Sequence, residues 1–182
     1  MMRRGFTVVE LLITITIMGI LLTLAVVNLT TTQMNGRDAQ RKTDIDAIAN
    51  NLEIYYKEGG DNPAVTVIGR YPSTAMLIGS EATVEAAVRQ NIRDVDFKIL
   101  AAPGVATSTS PNITASFIAA TNSTQTTTGV APQPTTSQFV YQPLQANGQL
   151  CTSDTAQECR KFNLYYRLEA DNTVYTVTSK NQ

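Results

Sequence analysis

Histidine and tryptophan are absent from this chain, and cysteine occurs only twice. Without histidine there is no imidazole base, no Ser-His-Asp triad and no ordinary zinc ligand set. Carboxylates remain, but no pair of them is set apart for acid–base work, so no catalytic residue, metal or cofactor is assigned and the chain reads as a structural protein, not an enzyme. Charge is sparse as well: net −1, with 16% charged residues. No cationic field is available to draw in nucleic acid, and no nucleic-acid site is evident. No proline precedes Pro63, and from Gly5 to Asn35 the only charged residue is Glu10.

Those absences frame one stretch. Arg3-Arg4-Gly5-Phe6-Thr7-Val8-Val9-Glu10 leads straight into an apolar run that continues to Leu29. As a helix, the roughly 24 residues from Phe6 to Leu29 extend about 36 Å, enough to cross a hydrocarbon layer of about 30 Å. A carboxylate inside such a segment is costly unless paired, which makes Glu10 a functional residue by default. A secretory signal or a plain membrane anchor is the simpler reading. The first lacks a clear small-residue cleavage site near Val26-Val27-Asn28, and the second gives no reason for Gly5 or Glu10. Arg3 and Arg4 ahead of the apolar run place the leader on the cytoplasmic side and the remainder outside.

With Gly5, Phe6, Thr7 and Glu10 followed by an apolar helix, the chain resembles the type IV pilins, including the pseudopilins of type II secretion. The resemblance is close over the first 60 residues and only architectural beyond. It implies that a prepilin peptidase cleaves between Gly5 and Phe6 and N-methylates the amine of Phe6. It further implies that Glu10 of one subunit pairs with the Phe6 amine of another as a homo-oligomeric helical filament assembles, driven by an assembly ATPase and a platform protein. At an effective dielectric near 20, such a pair at about 4 Å contributes on the order of 4 kcal/mol. Within one helix Glu10 is expected to point away from Phe6 along the helix surface, so a neighbouring copy offers the better geometry. The cytoplasmic membrane holds the precursor, and the extracellular fibre is its destination. A major pilin serving adhesion, twitching motility or DNA uptake is the first reading. A minor pilin or pseudopilin of a secretion or competence system is the second, and a non-polymerising membrane-anchored surface domain the third.

The expected fold is α+β, a long N-terminal helix packed on a small antiparallel sheet head. Its parts are a leader over 1–5, a transmembrane or filament-core helix over 6–29, an amphipathic continuation over 30–58 and a head over 59–182. Within the head, 59–95 connect helix to sheet and 96–182 hold the strands with a Thr/Ser-rich loop. Ile45, Ile48, Leu52 and Tyr55 recur at helical spacing, and Gly59-Gly60 end the helix. If unbroken from Phe6 to Glu58, the rod is roughly 80 Å long and, lacking the proline of many type IV pilins, fairly straight. Asp38 with Lys42 and Lys42 with Asp46 stand at four-residue spacing, as a solvated face or as partners for neighbouring subunits.

Ser80 is placed as the N-cap of a second helix over Glu81 to about Ile92. Strands are expected at Phe97–Leu100, within Ile113–Ala120, at Gln138–Gln142, and as a hairpin of Phe162–Glu169 with Thr173–Thr178. The Thr/Ser-rich stretch between Phe97 and Phe139 reads as a polar surface segment. Asn112-Ile113-Thr114 and Asn122-Ser123-Thr124 fit the N-glycosylation pattern, against an unmodified solvated loop. Cys151 and Cys159 lie in the part expected outside the cytoplasm, where disulfides persist. The resemblance favours a disulfide between them over two free thiols, and closing so short a loop contributes roughly 2.5 kcal/mol. The bracket precedes the last hairpin, unlike the family's usual enclosing loop. Asp154 and Glu158 nearby are too few for a calcium site.

Overall fold

The computed structural model of the chain describes residues 6–60, 68–92, 96–104 and 113–181. Gly5 and the rest of the leader, Asp61-Asn62-Pro63, Thr107 to Pro111 and Asn112, the acceptor of the first sequon, lie outside the described residues. The fold is α+β, a long apolar-tipped helix packed on a small four-stranded sheet.

Helix α1 runs without interruption over Val8–Glu58, 51 residues, or about 77 Å. No proline interrupts it, and Gly59, at φ 77°, ends it by donating its N–H to Tyr55 O. Glycine tolerates that left-handed conformation without a Cβ penalty. Ile45, Ile48 and Leu52 are fully buried, with Ala49 and Tyr55 beside them. The expected stripe is therefore the one that meets the head.

Helix α2 spans Glu81–Asn91 with Ser80 as N-cap, and Val84 and Val88 face the core. Strands β2 (Phe139–Gln145), β3 (Cys159–Arg167) and β4 (Val174–Thr178) form an antiparallel array in that order. The sheet departs from an all-antiparallel one at its far edge. There β1 (Phe117–Ala119) pairs parallel to β2, so the sheet is mixed. The expected Ile113–Ala120 strand is split, its first half forming the short helix α3 (Ile113–Ser116). Glu81 of α2 accepts from the Ile113 N–H and the Thr114 hydroxyl, holding that turn. Phe97–Leu100 is a 3-10 turn, not a strand. Asp96 caps it by accepting from Lys98 N, and Arg89 lies 3.9 Å over the Phe97 ring.

Strand alternation divides the head into two layers. Phe139, Tyr141, Phe162, Leu164 and Tyr166 point to α1 and α2 in the main core. On the opposite face Val140 and Tyr165 pack with Ala120 and Val130 of the Thr-rich segment. That segment is an ordered cover over the sheet. Buried Gln142 donates to Asn122 O and Thr124 O while accepting from Asn163 and the Tyr165 hydroxyl. The Asn122 side chain donates to Gly129 O and accepts from Ala131 N, so the amide of the second sequon closes the loop.

Candidate functional site

The structural feature with no occupant inside the chain is the first half of α1. From Phe6 to Leu24 every residue is exposed, Phe6 at 89% and even Ile13, the least exposed large apolar side chain there, at 49%. Among the described residues this is the one helix long and apolar enough to cross a membrane. Its polar atoms are turned inward. Thr14 donates its hydroxyl to Leu11 O (2.8 Å), Thr16 to Ile13 O (2.8 Å) and Thr23 to Ile20 O (2.7 Å). Each hydroxyl thus spends its donor on the helix itself and asks nothing of a lipid or protein neighbour.

The tip carries a capping box. Glu10 Oε2 accepts from the Thr7 N–H at 2.9 Å and from the Thr7 hydroxyl at 3.0 Å, while Thr7 Oγ1 accepts from the Glu10 N–H at 3.3 Å. This satisfies two of the orphan donors of a helix start. It also corrects the direction expected for Glu10, whose carboxylate folds back toward the N-terminus onto Thr7. A threonine followed three residues later by glutamate is the sequence signature of such a cap.

The arm ends where the first charges become buried. Arg41, 1% exposed, is the hub. It donates to Asp38 Oδ1 (2.7 Å), Thr136 O (2.9 Å), Pro103 O (2.9 Å) and Glu169 Oε1. Arg37 forks onto the Glu169 carboxylate, with Nη2 2.5 Å from Oε2. Asp38 in turn accepts from the backbone N–H groups of Glu169 and Ala170, at 2.9 and 3.0 Å. The Arg37 guanidinium, aided by Arg41, holds the Glu169 carboxyl down at about 2. Three separate loops of the head are therefore tied to one turn of α1. The expected Asp38–Lys42 pairing does not form, because Asp38 is committed to the head; Lys42 and Asp46 stay exposed on the solvent side of the rod.

One turn further, Asp44 is buried and its Oδ2 has no hydrogen-bond partner among the described residues. Burial pushes its carboxyl up to about 6. At the other end of the rod buried Glu53 accepts from Tyr71 Oη (3.0 Å), Lys180 N (2.7 Å) and Asn181 Nδ2 (2.6 Å). This clasps the C-terminal residues and the Tyr71-Pro72 turn to α1, and the Tyr71 ring packs on Tyr56.

Cys151 and Cys159 are joined by a disulfide, with Cα atoms 5.6 Å apart, and both are buried. Their carbonyls accept from Thr74 N and Tyr71 N, so the closed loop secures the segment that follows the rod. Asp154 accepts from Ser73 N, and Glu158 pairs with Arg70 and Arg160. Both carboxylates are thereby engaged within the head, and no metal-ligating cluster is present among the described residues.

A family model described as the prokaryotic N-terminal methylation motif matches residues 1–26. No curated protein and no solved structure matches the chain. The matched stretch holds Gly5, Phe6 and Glu10 and extends into the exposed arm. Motif and apolar helix together fit a membrane-anchored precursor of the pilin-like or pseudopilin kind.

Proposed function

We propose that this chain is a type IV pilin, a structural subunit that polymerises through its N-terminal arm into an extracellular filament. The observation that carries this reading is the coincidence of the methylation motif with an arm whose apolar surface is uncovered in the monomer. In the membrane, lipid covers that arm; in a fibre, the arms of other copies do. Cleavage after Gly5 by a prepilin peptidase frees the amine of Phe6, which is methylated. Glu10 of one subunit then accepts that amine from a neighbour, exchanging its Thr7 contacts for an ion pair in a dry setting. The head stays on the outer side of the cytoplasmic membrane until an assembly ATPase, acting through a platform protein, extracts the subunit.

Mass spectrometry of the mature chain tests the first step, with N-methylphenylalanine at Phe6 as the expected terminus. A chain recovered from intact fibres with residues 1–5 still attached overturns the proposal. Glu10→Ala tests the second step: membrane insertion is retained, while sheared fibres fall by an order of magnitude or more. Pseudopilins share the same motif and arm, and abundance of the chain in sheared surface fibres separates the two roles.

A further inference from the structure

The sheet has two edge strands, the three-residue β1 and the longer β4. The backbone bonds Leu168 N–H to Thr173 O and Ser179 N–H to Phe162 O set which residues of β4 face β3. In the antiparallel register Tyr175 pairs with Tyr166 and Val177 with Leu164. Because hydrogen-bonding direction alternates along such a ladder, Tyr175 and Val177 spend their backbone groups on β3. The N–H and C=O groups of Val174, Thr176 and Thr178 therefore point outward, and none has a partner among the described residues.

Within Val174–Thr178 nothing discourages a further strand; just beyond, Lys180 is tied to α1 by its N–H on Glu53 and its ammonium on Asn50. Sheets guard free edges with lysine, proline or a bulge. Val174-Tyr175-Thr176-Val177-Thr178 has none of these, and Tyr175, Thr176 and Thr178 are exposed. Charges stand only beyond its two ends, exposed Asp171 before it and exposed Lys180 after it.

We infer that β4 is a docking edge for a second copy of this chain, pairing antiparallel with its own β4 about a two-fold axis at Thr176. Of the symmetric registers, this one uses all three outward residues, Thr176 opposite Thr176 of the other copy and Val174 opposite Thr178. Each such pair exchanges both backbone bonds. The same register brings Lys180 of one copy to the end of the strand where Asp171 of the other lies, at both ends at once. Charge thus favours antiparallel docking over parallel docking, which sets like charges together. Threonine and valine across the strands are favourable neighbours.

The operation turns the second rod end for end, since α1 packs on the sheet face and the axis stands across that face. Two copies anchored in the same membrane therefore cannot make this contact. Copies in fibres lying side by side with opposite polarity can. Five residues of edge bury too little area for a tight dimer, but repetition along a fibre multiplies a weak contact by local concentration. The pairing itself needs only the head; its place between fibres rests on the filament reading above.

The test uses the full chain in detergent micelles, where assembly is not required. Cys151 and Cys159 are already joined, so an introduced thiol is the only free one. Thr176→Cys places two thiols on facing residues whose Cα atoms are about 5.5 Å apart. A short thiol-specific bifunctional cross-linker is expected to trap a covalent dimer at least severalfold more than with Thr128→Cys, an exposed position on the covering loop. Val174→Cys and Thr178→Cys should cross-link when mixed far better than either does alone, which reads the register. Thr176→Lys, in an otherwise native chain with an unchanged melting transition, should lower the dimer fraction in sedimentation. Equal cross-linking at Thr176→Cys and Thr128→Cys, or an indifferent Thr176→Lys, overturns the inference while leaving the filament proposal standing. Dimers that form in solution without fibres on the cell surface keep the inference and count against the filament instead.

Discussion

Residues 6–24 and 37–58 belong to one unbroken helix and meet opposite surroundings. The first stretch exposes every side chain, whereas the second buries Asp38, Arg41, Asp44 and Glu53 along with its aliphatic residues. Greasy residues face outward where polar ones are scarce, and charged residues turn inward where the head supplies partners. The lesson is that burial on this rod follows the availability of a partner and not residue type alone. Asp38 and Arg41 enter the interior where carbonyls, amides and an opposite charge meet them, and Glu53 where a hydroxyl, an amide and a backbone N–H do. Asp44 is the exception, buried with one oxygen unpartnered among the described residues and its carboxyl pushed up to about 6. The arm has its own version of that rule, since its hydroxyls are bound to its own carbonyls and Glu10 to its own cap.

Breaking the contrast at Arg41 carries the largest expected effect. Arg41→Met leaves Asp38 and Glu169 short of a cation and two carbonyls short of a donor. It is expected to destabilise the head by about 3–5 kcal/mol while leaving membrane insertion intact. Thermal unfolding of the full chain in detergent measures the first, and membrane fractionation the second. The next comparison sets leucine against leucine. Leu52→Ala opens a cavity in the core and should cost about 2–5 kcal/mol, whereas Leu21→Ala on the arm should leave head unfolding unchanged. A comparable loss from both would mean that the arm is part of the head's core.

The smallest effect concerns pH, and two carboxylates pull it in opposite directions. Glu169 is held at about 2 in the fold, below the roughly 4.3 of an unfolded chain. Its contribution is complete above that value and is lost as pH falls through the folded one. Asp44 is raised to about 6, above an unfolded value near 3.9. It favours the fold below the unfolded value, and that contribution is lost as pH rises through the folded one. Stability should therefore be greatest in mildly acidic solution. Asp44→Asn is expected to raise the melting temperature by about 2–5 °C at pH 8 and to have little effect near pH 4.

Much of this architecture is legible from residue spacing. Ile45, Ile48 and Leu52 mark the buried stripe, Gly59 the helix end, and Ser80 the second helix, because each is a local signal with a local cause. The misread elements are those whose partners lie far along the chain. Phe97–Leu100 has the composition of a strand, yet Asp96 turns it into a cap. The four-residue spacing of Asp38, Lys42 and Asp46 suggests pairs along the helix, but it says nothing of which face Asp38 and Arg41 occupy. Positions 38, 41, 45, 48 and 52 continue a single stripe, and following it would have put Asp38 and Arg41 inside. What no spacing reveals is Glu169, which lies more than a hundred residues from both. Gln142 was similarly hidden, since its role depends on a loop crossing the outer side of the sheet.

Glu53 adds a matter of timing. Two of the groups that complete its shell lie 127 and 128 residues further along the chain. During synthesis the rod emerges long before those groups exist. Glu53 must then remain in water, and the head cannot close over it until nearly all of the sequence has been translated. Chains released short of Lys180 would carry an unlatched head, a defect that a quality-control protease could recognise at the exposed end of the rod.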